Sequence, residues 1–422
     1  MNPPDAKMNP SCNNPCRQIF TLPVIVAALG YFVDIYDLVL FSIIRVPSLQ
    51  ALGMSGQALT DNGVFLLNMQ MAGMLLGGIL WGILGDRQGR IKIMFASIFL
   101  YSIANLANAM VSSLPAYAVL RFVAGIGLAG ELGAGITLVA EALPTLIRGY
   151  GTMVVASVGV TGAILANLIA KTYDWRVAFV IGGVLGLLLL ITRVSVAESG
   201  LFRAMSEQGE MERGNMLTLF RDRRRFFRYL NSILIGVPIW YVVGILITFS
   251  PEFAKSLGTT GPISAGNAVM LCYLGLVFGD IASGLLSQAL QSRKKVVLLF
   301  MLLTVCAITL YFLQGARSPR FFYGVCLVLG FTSGYWAVFV TVAAEQFGTN
   351  LRATVATTVP NFVRGMVVPI TLLFQLFRQH LGLAPGALAV AALCLLAGFL
   401  ALLSLEETFH KDLDYYEDPG AL

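Results

Sequence analysis

The chain has 422 residues, 57% of them hydrophobic and only 12% charged, with 28 basic side chains against 22 acidic ones. Soluble domains are about half apolar and about a quarter charged, so this composition excludes an ordinary soluble enzyme and requires a chain dissolved in a bilayer. No Gly-Lys-Ser/Thr phosphate loop is present, which excludes ATP as a driver, and the only histidines, His380 and His410, assemble no catalytic or metal-binding set.

Residues 1–18 form a polar tail whose Cys12 and Cys16 lack the second ligand pair of a zinc site. The first apolar run is long enough to span and to act as the insertion signal. A spanning helix takes about 20 apolar residues, and the sequence predicts spans over 20–46, 62–85, 93–113, 116–142, 149–172 and 175–196, then 229–250, 264–290, 295–314, 321–345, 354–378 and 384–404. Cys272, Cys306, Cys326 and Cys394 fall inside spans, where cysteine behaves as a small apolar residue. Basic residues concentrate on alternate connections: Arg87, Arg90, Lys92, Arg148, the run from Arg221 to Arg228, Arg293 to Lys295 and Arg352. The other side holds Lys171, Arg176, Lys255, Arg317 and Arg320. The positive-inside rule then puts both termini in the cytoplasm. The basic run is read as an anchor beside anionic lipid, not as a nucleic-acid site.

Along the chain, ionisable residues inside spans are functional candidates because hydrocarbon does not tolerate an uncompensated charge. Asp34 and Asp37 share one face of the first span. Desolvation favours the neutral acid, so either could load and release a proton; the alternative is a structural salt bridge. Between the second and third spans stands GILGDRQGRIK, where Gly82, Gly85 and Gly89 permit a sharp turn and Asp86, Arg87, Arg90 and Lys92 must lie at the membrane surface. Arg121 opens the fourth span, and Glu131 sits further along it among small residues; substrate contact, proton relay and interhelical hydrogen bonding are all open to Glu131. Arg45, late in the first span, is expected to snorkel outward. Asp280 in the eighth span is expected to pair with a neighbour, while Tyr36, Tyr241, Tyr335 and Asn361 are candidates to wall a binding site. Arg364, in the eleventh span, never loses its charge and offers a fork suited to carboxylate, so it needs an anion there, either the substrate or a protein carboxylate.

The chain also repeats itself. AEALPTLIRG matches AEQFGTNLRA, so Glu141, Thr145 and Arg148 fall on Glu345, Thr349 and Arg352 at one common offset, which also carries Arg90 onto Lys294. Six spans, a short loop and six related spans form a parallel repeat, and such carriers bind substrate between the halves near the bilayer midplane. The expected fold is an all-α membrane protein of about twelve transmembrane helices in two six-helix repeats. Its parts are a cytoplasmic tail (1–18), a first bundle (19–196), a basic linker (197–228), a second bundle (229–404) and a cytoplasmic tail (405–422).

The hairpin resembles the loop signature of the major facilitator superfamily: glycine, three residues, Asp-Arg-x-Gly-Arg, then a basic residue. Arg121 in RFVAGIGLAGE, Glu131, the two Glu-to-Arg segments and the VAESG and SLEET echoes resemble the branch holding sugar porters, metabolite–proton symporters and organic-ion transporters. Ile91 departs from the signature where a basic residue is usual, with Lys92 one position later, and the motif after the sixth span lacks its usual prolines. The resemblance implies a secondary active transporter working by alternating access, not an enzyme. It further implies Asp37 as the proton carrier with Arg121 as its partner, and Arg364 as the arginine of organic-anion carriers. A cytoplasmic gate is implied around Gly82, Asp86, Arg87, Gly89 and Arg90, extended through Glu141, Arg148, Glu345 and Arg352. Proton-coupled symport of a carboxylate or sugar acid is the leading expectation. The alternatives are a zwitterion, cation or sugar carrier and a non-transporting nutrient sensor. A small molecule, the proton and membrane lipid are the expected partners, with no cofactor and no nucleic acid, for a monomer in the bacterial inner membrane.

Overall fold

The computed structural model describes residues 21–88, 90–131, 145–198, 218–409, 411 and 417. The first half runs through α1 (Leu22–Ala51), α2 (Gly56–Gln88), α3 (Arg90–Asn108), α4 (Leu114–Leu128), α5 (Thr145–Val160), α6 (Gly162–Thr172) and α7 (Trp175–Glu198). After a single turn at Thr218–Arg221 come α8 (Arg223–Leu234), α9 (Val237–Tyr241), a π-helical turn (Val242–Ile247) and α10 (Ser250–Ser256). The remainder comprises α11 (Ala265–Ala289), α12 (Arg293–Leu313), α13 (Pro319–Ser333), α14 (Trp336–Glu345), α15 (Thr349–Gly365), α16 (Val367–Leu381) and α17 (Leu383–Ser404). Among the described residues, taken as continuous stretches, ten are long and apolar enough to cross a membrane, and Ile93–Asn108 and Leu114–Leu128 are shorter apolar helices. The first helix runs through Pro47 to Ala51, beyond the expected end at 46, because its other backbone groups keep their helical bonds.

Lipid offers no hydrophobic force between helices, so close van der Waals packing has to hold them together. The two halves use the same device. On α2 and α4, Gly73 and Gly77 face the backbone of Phe122 and Ile126, and Gly125 faces the carbonyl of Gln70. On α11 and α13, Gly275 and Gly279 face Leu327 and Phe331, and Gly330 faces the carbonyl of Cys272. A Cβ at Gly125 or Gly330 would run into a backbone carbonyl, which no rotamer change relieves. Gly330→Ala is therefore expected to cost several kcal/mol, at the upper end of about 1–3 kcal/mol for overpacking or beyond it, and Gly324→Ala, which faces open space, should not. Thermal unfolding in detergent checks the contrast; equal melting would refute the packing argument. Leucines such as Leu188, Leu303 and Leu400 point outward, as hydrocarbon permits.

Of the breaks in helical regularity in the second half, three bear on the buried polar residues. Pro369 has no N–H for the carbonyl of Gly365, and α15 gives way to α16 at Met366. Gly334 separates α13 from α14. The π turn follows Trp240 and Tyr241 directly, and such turns are common at functional sites. Non-helical backbone at membrane depth survives only when buried in protein or lining a cavity.

Candidate functional site

The three breaks converge on one side chain. Arg364 closes the last turn of α15, beside the Met366 break, where a helix C-terminus favours a cation. Its guanidinium carbon lies 5.9 Å from the ring of Trp240 and 5.9 Å from that of Trp336. Trp240 precedes the π turn and Trp336 opens α14 after Gly334, and the two indoles meet edge to face at 6.4 Å. Across the interface between halves, Arg364 Nη2 lies 3.6 Å from Asp34 Oδ2, and both groups are buried. That is an ion pair without a hydrogen bond. Nε and Nη1 of Arg364 and both carboxylate oxygens of Asp34 have no hydrogen-bond partner among the described residues. Buried donors of this kind are costly to leave unmatched, so the arrangement is suited to an additional anion.

Asp37, one turn further on, is buried with neither oxygen hydrogen-bonded among the described residues. The direct pairing with Arg121 expected from sequence is not formed. Arg121 donates instead to the Gln70 side-chain oxygen and lies over Phe41 and Phe179 at 5.2 and 5.5 Å. Gln70 also donates to the Leu38 carbonyl, so a polar amide bridges the arginine to the backbone of α1. Asp37 packs against Gly182 of α7, where any side chain would displace it.

Glu131 does not face the site as an open carboxylate. It pairs with Arg193 of α7 at 2.5 Å, and Arg193 also donates to the Val26 carbonyl at 3.3 Å. Both are buried, and Gly30 leaves the room they occupy. Sequence reasoning passed over Arg193, although a lone arginine in the apolar run LLLLITRVSV was a readable signal.

Several candidates for the binding wall are bound into helix packing. The hydroxyls of Tyr36, Tyr241 and Tyr335 donate to the carbonyls of Ala178, Ala387 and Ile235 at 2.8, 2.8 and 3.1 Å, and all three residues are fully buried. Asn361 donates to the Ala129 carbonyl at 2.8 Å, bolting α15 to the end of α4. These polar groups are engaged in helix packing: a tyrosine buried in an apolar bundle needs an acceptor, and a neighbouring carbonyl supplies it. Asp280 accepts from the Ala337 N–H at 3.1 Å and so caps α14 at its break.

At the end of the bundle carrying the α1–α2 turn, two ion pairs join the halves. Arg45 does not snorkel; it is fully buried, meets Glu252 of α10 at 2.7 Å and stacks on Phe249 at 4.5 Å. Arg378 of α16 meets Asp61 of α2 at 2.5 Å, and Thr371 bonds Asn68 at 2.5 Å. Asp61 is half exposed, so Arg378→Ala should cost at most about 1 kcal/mol of stability. If the pair helps to hold this end together, the variant should nevertheless increase labelling of a cysteine placed at Asn68; unchanged labelling would refute a sealing role.

At the opposite end, Gly82 lies within α2. The side chains of Asp86, Arg87, Arg90 and Arg148 lie outside the described residues, as do Gly89 and Glu141, so the expected latch to α15 falls there too. Its counterpart in the second half is visible. Glu345 meets Arg293 at 3.5 Å and accepts from Thr408 at 2.7 Å, while Arg352 sits in the first turn of α15. Glu407 accepts from Ser292 and from the N–H groups of Arg293 and Lys294, capping α12. Partial burial pushes its carboxyl up, but these hydrogen bonds win and hold it below the ordinary value. A lowered acid stabilises the fold above its ordinary value and loses that contribution as pH falls through the lowered one. Glu407→Gln should therefore flatten the acid limb of the melting curve below about pH 4.5; an unaltered limb would refute the cap.

Residues 27–364 match the family model described as Major Facilitator Superfamily. The chain is 26% identical over 400 residues to a putative niacin/nicotinamide transporter of Bacillus subtilis (strain 168), covering 92% of this chain and 96% of that protein. It is 27% identical over 395 residues to a cis,cis-muconate transport protein of Acinetobacter baylyi, covering 90% and 93%. Its fold is similar to that of the proton:xylose symporter XylE of E. coli, with a TM-score of 0.70, 17% identity and coverage of 95% of this chain and 98% of that one.

Proposed function

The chain belongs to the major facilitator superfamily, and on that premise we propose that this multi-pass inner-membrane transporter of small metabolites carries a small organic anion, a carboxylate or sugar acid, together with a proton. The observation that carries the reading is Arg364: buried between the halves, roofed by two indoles, and with two nitrogens unmatched among the described residues. A carboxylate answers the guanidinium fork, and flat indole faces suit a planar body beside it. Two relatives are named for niacin or nicotinamide and for cis,cis-muconate, and niacin and muconate are carboxylic acids. The carrier crosses the bilayer twelve times as two six-helix bundles, 19–196 and 229–404, with both termini and the basic linker in the cytoplasm. Asp34 and Asp37 are the proton-coupling carboxylates. The acid-rich spans do not favour a cation, because Glu131 is matched by Arg193 and Asp280 caps a helix.

Uptake into proteoliposomes tests this. With an inward acid gradient, carboxylate should accumulate above its external concentration, and collapsing the gradient should abolish accumulation. Asp37→Asn should abolish concentrative uptake while leaving exchange of internal for external substrate. Accumulation indifferent to the gradient would remove proton coupling, and preserved accumulation in Asp37→Asn would remove Asp37 from it.

A further inference from the structure

The geometry around Arg364 leads further, on the premise that the cargo is an anion. We infer that Asp34 is the stand-in anion of the empty carrier: an incoming carboxylate displaces it from Arg364, and the displaced Asp34 takes up a proton as substrate binds.

The argument begins with the distance. At 3.6 Å, without a hydrogen bond, Asp34 compensates the charge of Arg364 but does not fill its fork. Charge-assisted bidentate hydrogen bonds are the strong form of this contact, so a carboxylate free to approach in plane outcompetes one tethered to α1. Charge then fixes what must follow. Before binding, the pair Arg364 and Asp34 is neutral. Were the substrate anion simply added, the buried site would hold two carboxylates against one guanidinium, and like charges sharing a site cannot both remain ionised. Adding one proton to an Asp34 oxygen restores neutrality: the ion pair Arg364–Asp34 breaks, the pair Arg364–substrate forms, and one O–H bond forms on Asp34 with a proton drawn from solution.

The surroundings select Asp34 as the acceptor. Among the described residues, the ionisable groups within its electrostatic reach are Arg364 of α15, Glu131 after α4, Arg193 of α7, Tyr101 of α3, Tyr273 of α11, and Asp37 and Tyr31 on α1 itself, with Asp280 of α11 beyond Tyr31. Arg193 is engaged by Glu131. Arg121 is held by Gln70 and acts on Asp37, not on Asp34. Among the described residues, no other cation is in position to rescue an ionised Asp34 once Arg364 turns to the substrate. Thus substrate and proton are linked through one guanidinium at the binding step, which leaves the charge around Arg364 unchanged; Asp37 acts in a later step of the cycle.

The test is binding, separate from transport. Purified carrier in weakly buffered detergent solution near pH 7 is titrated with nicotinate and with cis,cis-muconate while a pH indicator reports proton uptake. The wild-type protein is expected to take up about one proton per carboxylate group engaging Arg364. The isosteric Asp34→Asn variant should take up none, and should bind the anion about tenfold more tightly or better because the internal competitor is gone. The wild-type stoichiometry stands by itself should the variant fail to fold. Binding without proton uptake in the wild type overturns the exchange, as does uptake that persists in Asp34→Asn or is removed by Asp37→Asn instead. Absence of binding by every carboxylate, with a neutral sugar binding, overturns the anion reading and the exchange together.

Discussion

Arg364→Ala is expected to weaken binding of an anionic substrate by about 10- to 100-fold, the worth of charge-assisted hydrogen bonds at about 1.5–3 kcal/mol. The side chain is buried, it ends α15 beside the Pro369 break, and two tryptophans exclude water from one side of it. A lost interaction there is not replaced by solvent. Arg364→Lys retains the charge and loses the planar fork, so it should recover only part of the affinity. Equilibrium binding of nicotinate to the purified variants measures both. Unchanged affinity in the alanine variant would remove Arg364 from the site and leave it an intraprotein salt bridge to Asp34.

Arg193→Met should be the most destabilising substitution at an ionisable position, at about 3–5 kcal/mol, because it leaves Glu131 buried without its partner. The pair is buried: Glu131 just after α4, Arg193 on α7, and α1 passing at Gly30 with the Val26 carbonyl as a second acceptor. Removing both charges together is a different experiment. Glu131→Gln with Arg193→Met restores neutrality, and replacing a buried ion pair by groups of similar size is often close to neutral. Thermal midpoints of the two single variants and the double variant form a cycle. If the double variant melts no higher than Arg193→Met, the pair is not a unit and Glu131 has another role.

The outline of this protein was legible because its strongest signals are local and chemical. Long apolar runs, the basic residues between them and the GILGDRQGRIK hairpin identify a superfamily carrier without reference to any distant contact. The charged residues inside spans were legible as candidates for the same reason: hydrocarbon makes each of them exceptional. Their partners were not. Asp37 and Arg121 invite pairing by motif, yet Gln70 from α2 takes the arginine. Asp34 and Arg364 lie in opposite halves of the chain and meet only because α15 packs across α2. Tyr36, Tyr241 and Tyr335 looked alike in sequence as wall residues, and in the bundle each hydroxyl is satisfied by a carbonyl of a neighbouring helix.

The sequence by itself therefore determined the class, the apolar segments and the repeat, since transfer free energy acts on each segment separately. Tertiary structure decided which charges compensate which, and which donors remain for a ligand. That division has a physical cause. A buried ion needs a counter-charge within a few ångströms, and only helix packing, here through Gly125 and Gly330 and the breaks at Gly334 and Met366, sets distances at that scale.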